Sequence, residues 1–118
     1  AMKGNRNEKP DFTSLLSYGN ETVMLEKLIA ETEKEMQAVR EAKQRKDLQE
    51  LDALTHHLRS SWEILRADQP LRELYKLLHR SPTSDWEAIH TAVKDVLDKG
   101  LTIIEMAKEE RRKYDNEQ

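Results

Sequence analysis

The sequence contains no cysteine, and it has only three glycines and three prolines among its 118 residues. Without cysteine, the chain can form neither a disulfide scaffold nor a thiolate zinc site, and it has no cysteine nucleophile. The scarcity of glycine excludes a glycine-rich phosphate loop of the kind that binds nucleoside triphosphates. It also leaves long stretches of good helix formers uninterrupted, which favours long helices joined by short turns.

Long apolar runs and an excess of basic charge are also missing. No apolar segment approaches the ~20 residues that span a bilayer, and the first residues have no apolar signal-peptide core. We therefore expect a soluble, cytoplasmic protein without direct membrane contact. The 20 Lys and Arg residues are interspersed with 23 Asp and Glu residues, for a formal net charge of −3. This balance offers no basic face for phosphate backbones, so no nucleic-acid partner is predicted.

Apolar residues recur at helical spacing in five segments. In the first, Phe12, Leu15 and Leu16 share the face of a short helix that ends near Gly19. Four longer helices are predicted over about 20–46, 47–66, 70–80 and 84–108. The predicted fold class is all-α, an antiparallel up-down four-helix bundle with a short additional N-terminal helix.

One domain, residues 11–108, is predicted to hold this bundle. Residues 1–10 have no periodic apolar pattern and are predicted to be a disordered N-terminal arm. Residues 109–118 are predicted to be a charged tail or helix end that frays beyond Lys108. Their basic run Arg111-Arg112-Lys113 is balanced by neighbouring acids, so we interpret it as a solvated helix end and not as a binding patch.

Capping residues and one glycine refine these helices. The candidate N-caps are Asn20, Asp47 with Glu50 three residues later, and Ser84 with Glu87 three residues later. Pro70 fits the first turn of a helix, where proline is tolerated. Gly100 falls inside the last helix, where it costs about 1 kcal/mol relative to Ala. We expect it to permit close packing or a bend.

The densest group of reactive side chains lies in the third predicted helix. At about 100° per residue, Leu58 and Trp62 point inward, whereas His56 is expected to be exposed. Arg59 and Ser60 follow His56 by three and four residues, so the three side chains share one patch. His57 falls on the other flank, at a partly buried seam between helices.

This patch suits phosphoryl transfer. A neutral imidazole is a nucleophile at neutral pH, and its reference pKa of about 6.5 leaves it mostly unprotonated there. Arg59 supplies a fixed positive charge beside a phosphoryl group on His56. A small residue at position 60 leaves room for the active site of a partner to approach the ring.

The segment resembles a family signature. The run His56-His57-Leu58-Arg59-Ser60-Ser61 is similar to the H-x-L-K-G-S motif of histidine-containing phosphotransfer (HPt) domains. The order and spacing of the predicted helices over residues 11–108 also resemble that family. The resemblance implies that His56 is the phosphorylated histidine, that Arg59 replaces a lysine, and that Ser60 replaces a glycine. On the fourth predicted helix, Leu78 or His79 occupies the region where many members have a polar residue that steadies the histidine ring.

The resemblance implies a phosphorelay intermediate. His56 would accept a phosphoryl group from a receiver-domain aspartate and pass it to another receiver-domain aspartate in a two-component system. The partners would be receiver domains of response regulators and of a hybrid sensor histidine kinase. The chain itself would be a monomer without an ATP site, autokinase activity, cofactor or metal. The docking face would be the exposed side of the first three helices around His56.

Other interpretations of the same residues stay open. His56 could be an ordinary exposed histidine on a charged helix, and His57 an ordinary seam or surface histidine. A di-iron site is not predicted, because Glu87-Ala88-Ile89-His90 is the single Glu-x-x-His motif and such sites pair two. Trp62 and Trp86 are interpreted as core residues. The alternative function is a helical adaptor that binds signalling partners without phosphotransfer, which Ser60 in place of glycine favours.

Overall fold

The computed structural model describes residues 9–80 and 85–116, and these residues form five α-helices without a β-strand. The helices are α1 (Thr13–Leu16), α2 (Glu21–Arg45), α3 (Leu48–Ile64), α4 (Gln69–Leu78) and α5 (Trp86–Asn116). The prediction of an all-helical chain with one short and four longer helices is confirmed. No helix in the described ranges combines the length and apolar character needed to cross a membrane.

Helices α2 to α5 pack around one hydrophobic core. Helix α2 contacts α5 and α3, and α4 contacts α3 and α5, so each of the four has two neighbours, while α1 packs against α2. The largest fully buried side chains come from all four longer helices and the α3–α4 turn: Leu25, Met36, Leu51, Leu58, Trp62, Leu65, Leu71, Leu74, Ile89, Val93, Val96 and Ile103. Burial of these apolar stripes is the main force that holds the helices together.

Aspartate side chains cap two of the long helices. The Asp47 carboxylate accepts a hydrogen bond of 3.0 Å from the backbone N–H of Glu50, as the sequence predicts. The Asp85 carboxylate accepts one of 2.8 Å from the N–H of Ala88 and caps α5. The predicted cap Ser84 lies outside the described residues. Asn20 occupies the N-cap position of α2 in a left-handed conformation, with no hydrogen bond from its side chain to the helix.

Gly100 allows α2 and α5 to approach closely. A Cβ atom at this position would collide with the side chain of Met36, which is itself buried in the core. The glycine therefore permits close packing, one of the two roles expected for it. Because α2 and α5 form the most extensive helix contact, this approach helps to fix the core.

The expected N-terminal arm is shorter than residues 1–10. Pro10 is buried, and the N–H of Asp11 donates a hydrogen bond of 2.8 Å to the Leu65 carbonyl at the end of α3. Hydrogen bonds from Thr13 lower the pKa of the Asp11 carboxyl. The chain is therefore fixed to the domain by residue 10, and the rest of the predicted arm, residues 1–8, lies outside the described part.

The expectation that the chain frays beyond Lys108 is wrong, because α5 continues to Asn116. Tyr114 is seven residues after the buried Ala107, so it continues the inward stripe of α5, and it packs against the core. Lys108 also forms a salt bridge of 3.7 Å with Glu33 of α2. The charged residues after Lys108 thus belong to a helix that packs against the core.

Candidate functional site

The inward stripe of α3 fixes the orientation of the candidate site. Leu51, Thr55, Leu58 and Trp62 are all buried, and the Thr55 hydroxyl donates a hydrogen bond of 2.7 Å to the Leu51 carbonyl. That bond satisfies the one polar side chain in the stripe. With this stripe buried, the other residues of α3 divide into a flank towards α2, a flank towards α4 and an outer face.

His56 is exposed, whereas Leu58 and Trp62 are buried, as the helical spacing predicts. No hydrogen bond or ion pair joins the His56 ring to another side chain in the described ranges. Ser60, one turn further along α3, is also exposed. The imidazole of His56 is thus open to solvent, with a small side chain beside it.

Arg59 is half-buried and contacts two other side chains. Its guanidinium lies over the Tyr75 ring of α4, with its central carbon 5.5 Å from the ring centroid. Its Nε is 3.8 Å from a carboxylate oxygen of Glu63, one turn further along α3. The structure therefore places the positive charge at the α3–α4 seam, on the same flank of α3 as His56.

His57 lies on the opposite flank and pairs with α2. Its Nε2 is 3.1 Å from a carboxylate oxygen of Glu35, but its side chain is 69% exposed. His57 therefore lies at the seam between α2 and α3 but is mostly exposed, so it combines the seam and the surface positions that the sequence left open. Burial raises the pKa of the Glu35 carboxyl, and the nearby His57 opposes this shift.

His79 takes part in a third contact of this region. Its Nε2 is 2.9 Å from a carboxylate oxygen of Asp52, so the pair joins α4 to α3. The His79 ring also stacks on the ring of Tyr75, with centroids 4.2 Å apart. Leu78, the other residue considered for this region, is half-buried and packs against the core.

Sequence analysis missed Asp52 and Tyr75. Asp52 could have been found, because it precedes His56 by four residues and so lies on the same flank of α3. The contacts of Tyr75 and His79 could not, because they depend on how far α4 is shifted along α3. The predicted residues His56, Arg59 and Ser60 lie together, and α4 adds two aromatic rings to them.

The other histidine motif lies near the start of α5. Across residues 9–80 and 85–116, no group of three or more His, Asp or Glu side chains is arranged to hold a metal ion. His90, from the Glu87-x-x-His90 motif, instead contacts the Trp86 ring edge-on at 5.2 Å. Trp86, predicted to be a core residue, is partly buried and packs against the core.

Comparisons with known proteins found no match: no protein-family model, no curated protein and no solved structure matches the chain.

Proposed function

We propose that the chain is an HPt-like phosphorelay intermediate that carries a phosphoryl group on His56. The observation that carries the proposal is the exposed imidazole of His56, which has no hydrogen-bond or ion-pair partner within residues 9–80 and 85–116. His57 and His79 both have a carboxylate partner on another helix. The similarity of residues 56–61 to the HPt motif supports the same assignment.

The reaction is a phosphoryl transfer between side chains of two proteins. A ring nitrogen of His56 attacks the phosphorus of an aspartyl phosphate on a receiver domain, and a nitrogen–phosphorus bond forms. The phosphorus–oxygen bond to the aspartate breaks, and the carboxylate leaves with the electron pair. In the onward step, a carboxylate of a second receiver domain attacks the same phosphorus, and His56 leaves as neutral imidazole.

Arg59 and Ser60 are assigned supporting roles. Arg59 places a permanent positive charge three residues from His56, which favours the anionic phosphoryl group. Ser60 is small enough to let a receiver domain approach the ring. The receiver domains supply the rest of the active site, so the chain needs no ATP site, cofactor or metal of its own.

The proposal extends to architecture and docking. We propose that α2 to α5 form an antiparallel up-down bundle, with α1 at one end, and that the cytoplasmic protein works as a monomer. The receiver domains would dock around His56 on the exposed sides of α1, α2 and α3. Because Asp52 and Arg59 share a flank with His56 and contact α4, we extend this face to α4.

A helical adaptor without phosphotransfer is the second candidate. The contacts of Arg59 favour the adaptor. The guanidinium lies over the Tyr75 ring and near the Glu63 carboxylate, so it is less available to bind a phosphoryl group. Ser60 in place of the glycine of the motif favours it too. In this case receiver domains would bind to the same face without transferring phosphate.

A transfer assay with matched histidine variants tests the two candidates. A receiver domain phosphorylated with acetyl phosphate is mixed with the protein, and acid-labile, base-stable phosphate on the protein is measured. We expect the parent and His57→Gln to take up phosphate and His56→Gln to take up none, with all three equally stable. Binding of receiver domains without uptake by the parent would favour the adaptor, and uptake by His56→Gln would refute the assignment of His56.

A further inference from the structure

Two contacts join α4 to the flank of α3 that carries His56. Asp52, His56 and Arg59 are separated by four and three residues, so they form one row along the helix. The two ends of this row contact α4, Asp52 through His79 at 2.9 Å and Arg59 through the Tyr75 ring at 5.5 Å. Tyr75 and His79 are stacked on each other. The two rings thus span the row, and His56, its central member, has no side-chain partner in the described part of the chain.

A free Asp52 carboxylate would oppose phosphorylation of His56 in two ways. Residues four apart on a helix have Cβ atoms about 5–6 Å apart, so a free Asp52 side chain can hydrogen-bond to the His56 ring. A hydrogen bond of this kind would occupy a ring nitrogen. The negative charge would also repel the phosphoryl group, which carries negative charge of its own.

The contact with His79 reduces both effects. It engages the Asp52 carboxylate on the α4 side of the row, 2.9 Å from Nε2 of His79. Arg59, at the other end of the row, adds a positive charge on α3, and Lys76 of α4 is 3.9 Å from Glu73. Both residues of the contact are a little under half exposed, so its effect is screened by water and is modest.

We propose that His79 is a positioning residue for phosphoryl transfer, and that it acts by holding the Asp52 carboxylate away from His56. The inference rests on the proposed function, since it concerns the same site. The Tyr75 ring stacks on the His79 ring and also contacts the guanidinium of Arg59, so it supports both side chains.

The experiment is a double-mutant cycle on the rate of phosphoryl uptake from a receiver domain. His79→Gln should slow uptake by about two- to fivefold, because Asp52 is then free to turn towards His56. Asp52→Asn should transfer at the parental rate or faster. The double variant should match Asp52→Asn, since His79 matters only while the carboxylate is present. Lys76→Gln is the matched control, because it removes a positive charge from α4 outside the row and should leave the rate unchanged.

The outcomes separate this inference from the proposed function. A parent protein that takes up no phosphate overturns both. A parent that transfers normally, together with an unaffected His79→Gln, overturns the inference alone. So does a double variant as slow as His79→Gln, because a merely structural role of His79 would not be rescued by Asp52→Asn. Urea unfolding of each variant verifies that the rates compare folded proteins.

Discussion

The two flanks of α3 carry the same kind of contact in different surroundings. On the α2 side, His57 meets Glu35 at 3.1 Å, and the carboxylate is only 22% exposed. On the α4 side, His79 meets Asp52 at 2.9 Å, and the carboxylate is 42% exposed. Burial perturbs the first carboxylate, whose pKa is raised. The second contact is more exposed and lies one turn of α3 from His56, so its proposed role concerns His56.

The comparison shows how two adjacent histidines of one short motif can have different surroundings. Adjacent residues on a helix point about 100° apart, so His56 and His57 face different neighbours. His57 contacts α2 through Glu35, whereas His56 has no side-chain partner among the described residues. The distinction follows from the helix and from the two packed neighbours, and it does not require different chemistry in the two rings.

The largest expected effect comes from truncating one residue of the buried stripe that separates the two flanks of α3. Leu58→Ala should lower the free energy of unfolding by about 2–5 kcal/mol, because a fully buried side chain is replaced by a cavity. His56→Ala, two residues away and exposed, is the control and should change it by no more than about 0.5 kcal/mol. Urea unfolding followed by circular dichroism measures both. Equal losses of unfolding free energy would mean that His56 contributes to the core and that its assignment to an exposed flank is wrong.

A smaller effect is expected on the α2 flank, where Glu35 titrates. Burial raises its pKa and His57 partly opposes the shift, so His57→Gln should raise the Glu35 pKa further. NMR titration of the Glu35 carboxyl carbon measures the shift directly. A fall in the Glu35 pKa in His57→Gln would contradict the claim that His57 lowers it.

The same pKa fixes the sign of a pH effect on stability. Because the folded state holds the Glu35 proton more tightly than the unfolded state, the stability from protonated Glu35 is present at acid pH. It is lost as the pH rises through the folded pKa, above the ordinary glutamate value. Relative to Glu35→Gln, the parent should therefore lose stability over this range, which urea unfolding at a series of pH values measures.

Periodicity predicted the parts of the fold that depend on one helix at a time. The inward positions of Leu58 and Trp62 follow from spacing alone, and so does the exposure of His56. The cap at Asp47 follows from local backbone chemistry. The end of α5 was not predicted, because charged residues surround Tyr114, the last apolar position of the inward stripe.

Contacts between helices could not be predicted in the same way. Whether His79 reaches Asp52 depends on the shift and rotation of α4 against α3, which many core side chains determine together. The exposure of His57 depends in the same way on how far α2 lies from α3. The sequence therefore indicated His56, Arg59 and Ser60, whereas Asp52 and the contacts with α4 were found only in the structure.

Locating the phosphoryl group within the protein tests the central claim most directly. The protein is phosphorylated by a receiver domain, digested at neutral to alkaline pH to preserve phosphohistidine, and sequenced by tandem mass spectrometry. The account predicts phosphate on His56, with none on His57 or on His79. Phosphate on His57 or His79, or a uniform distribution over the three histidines, would contradict it.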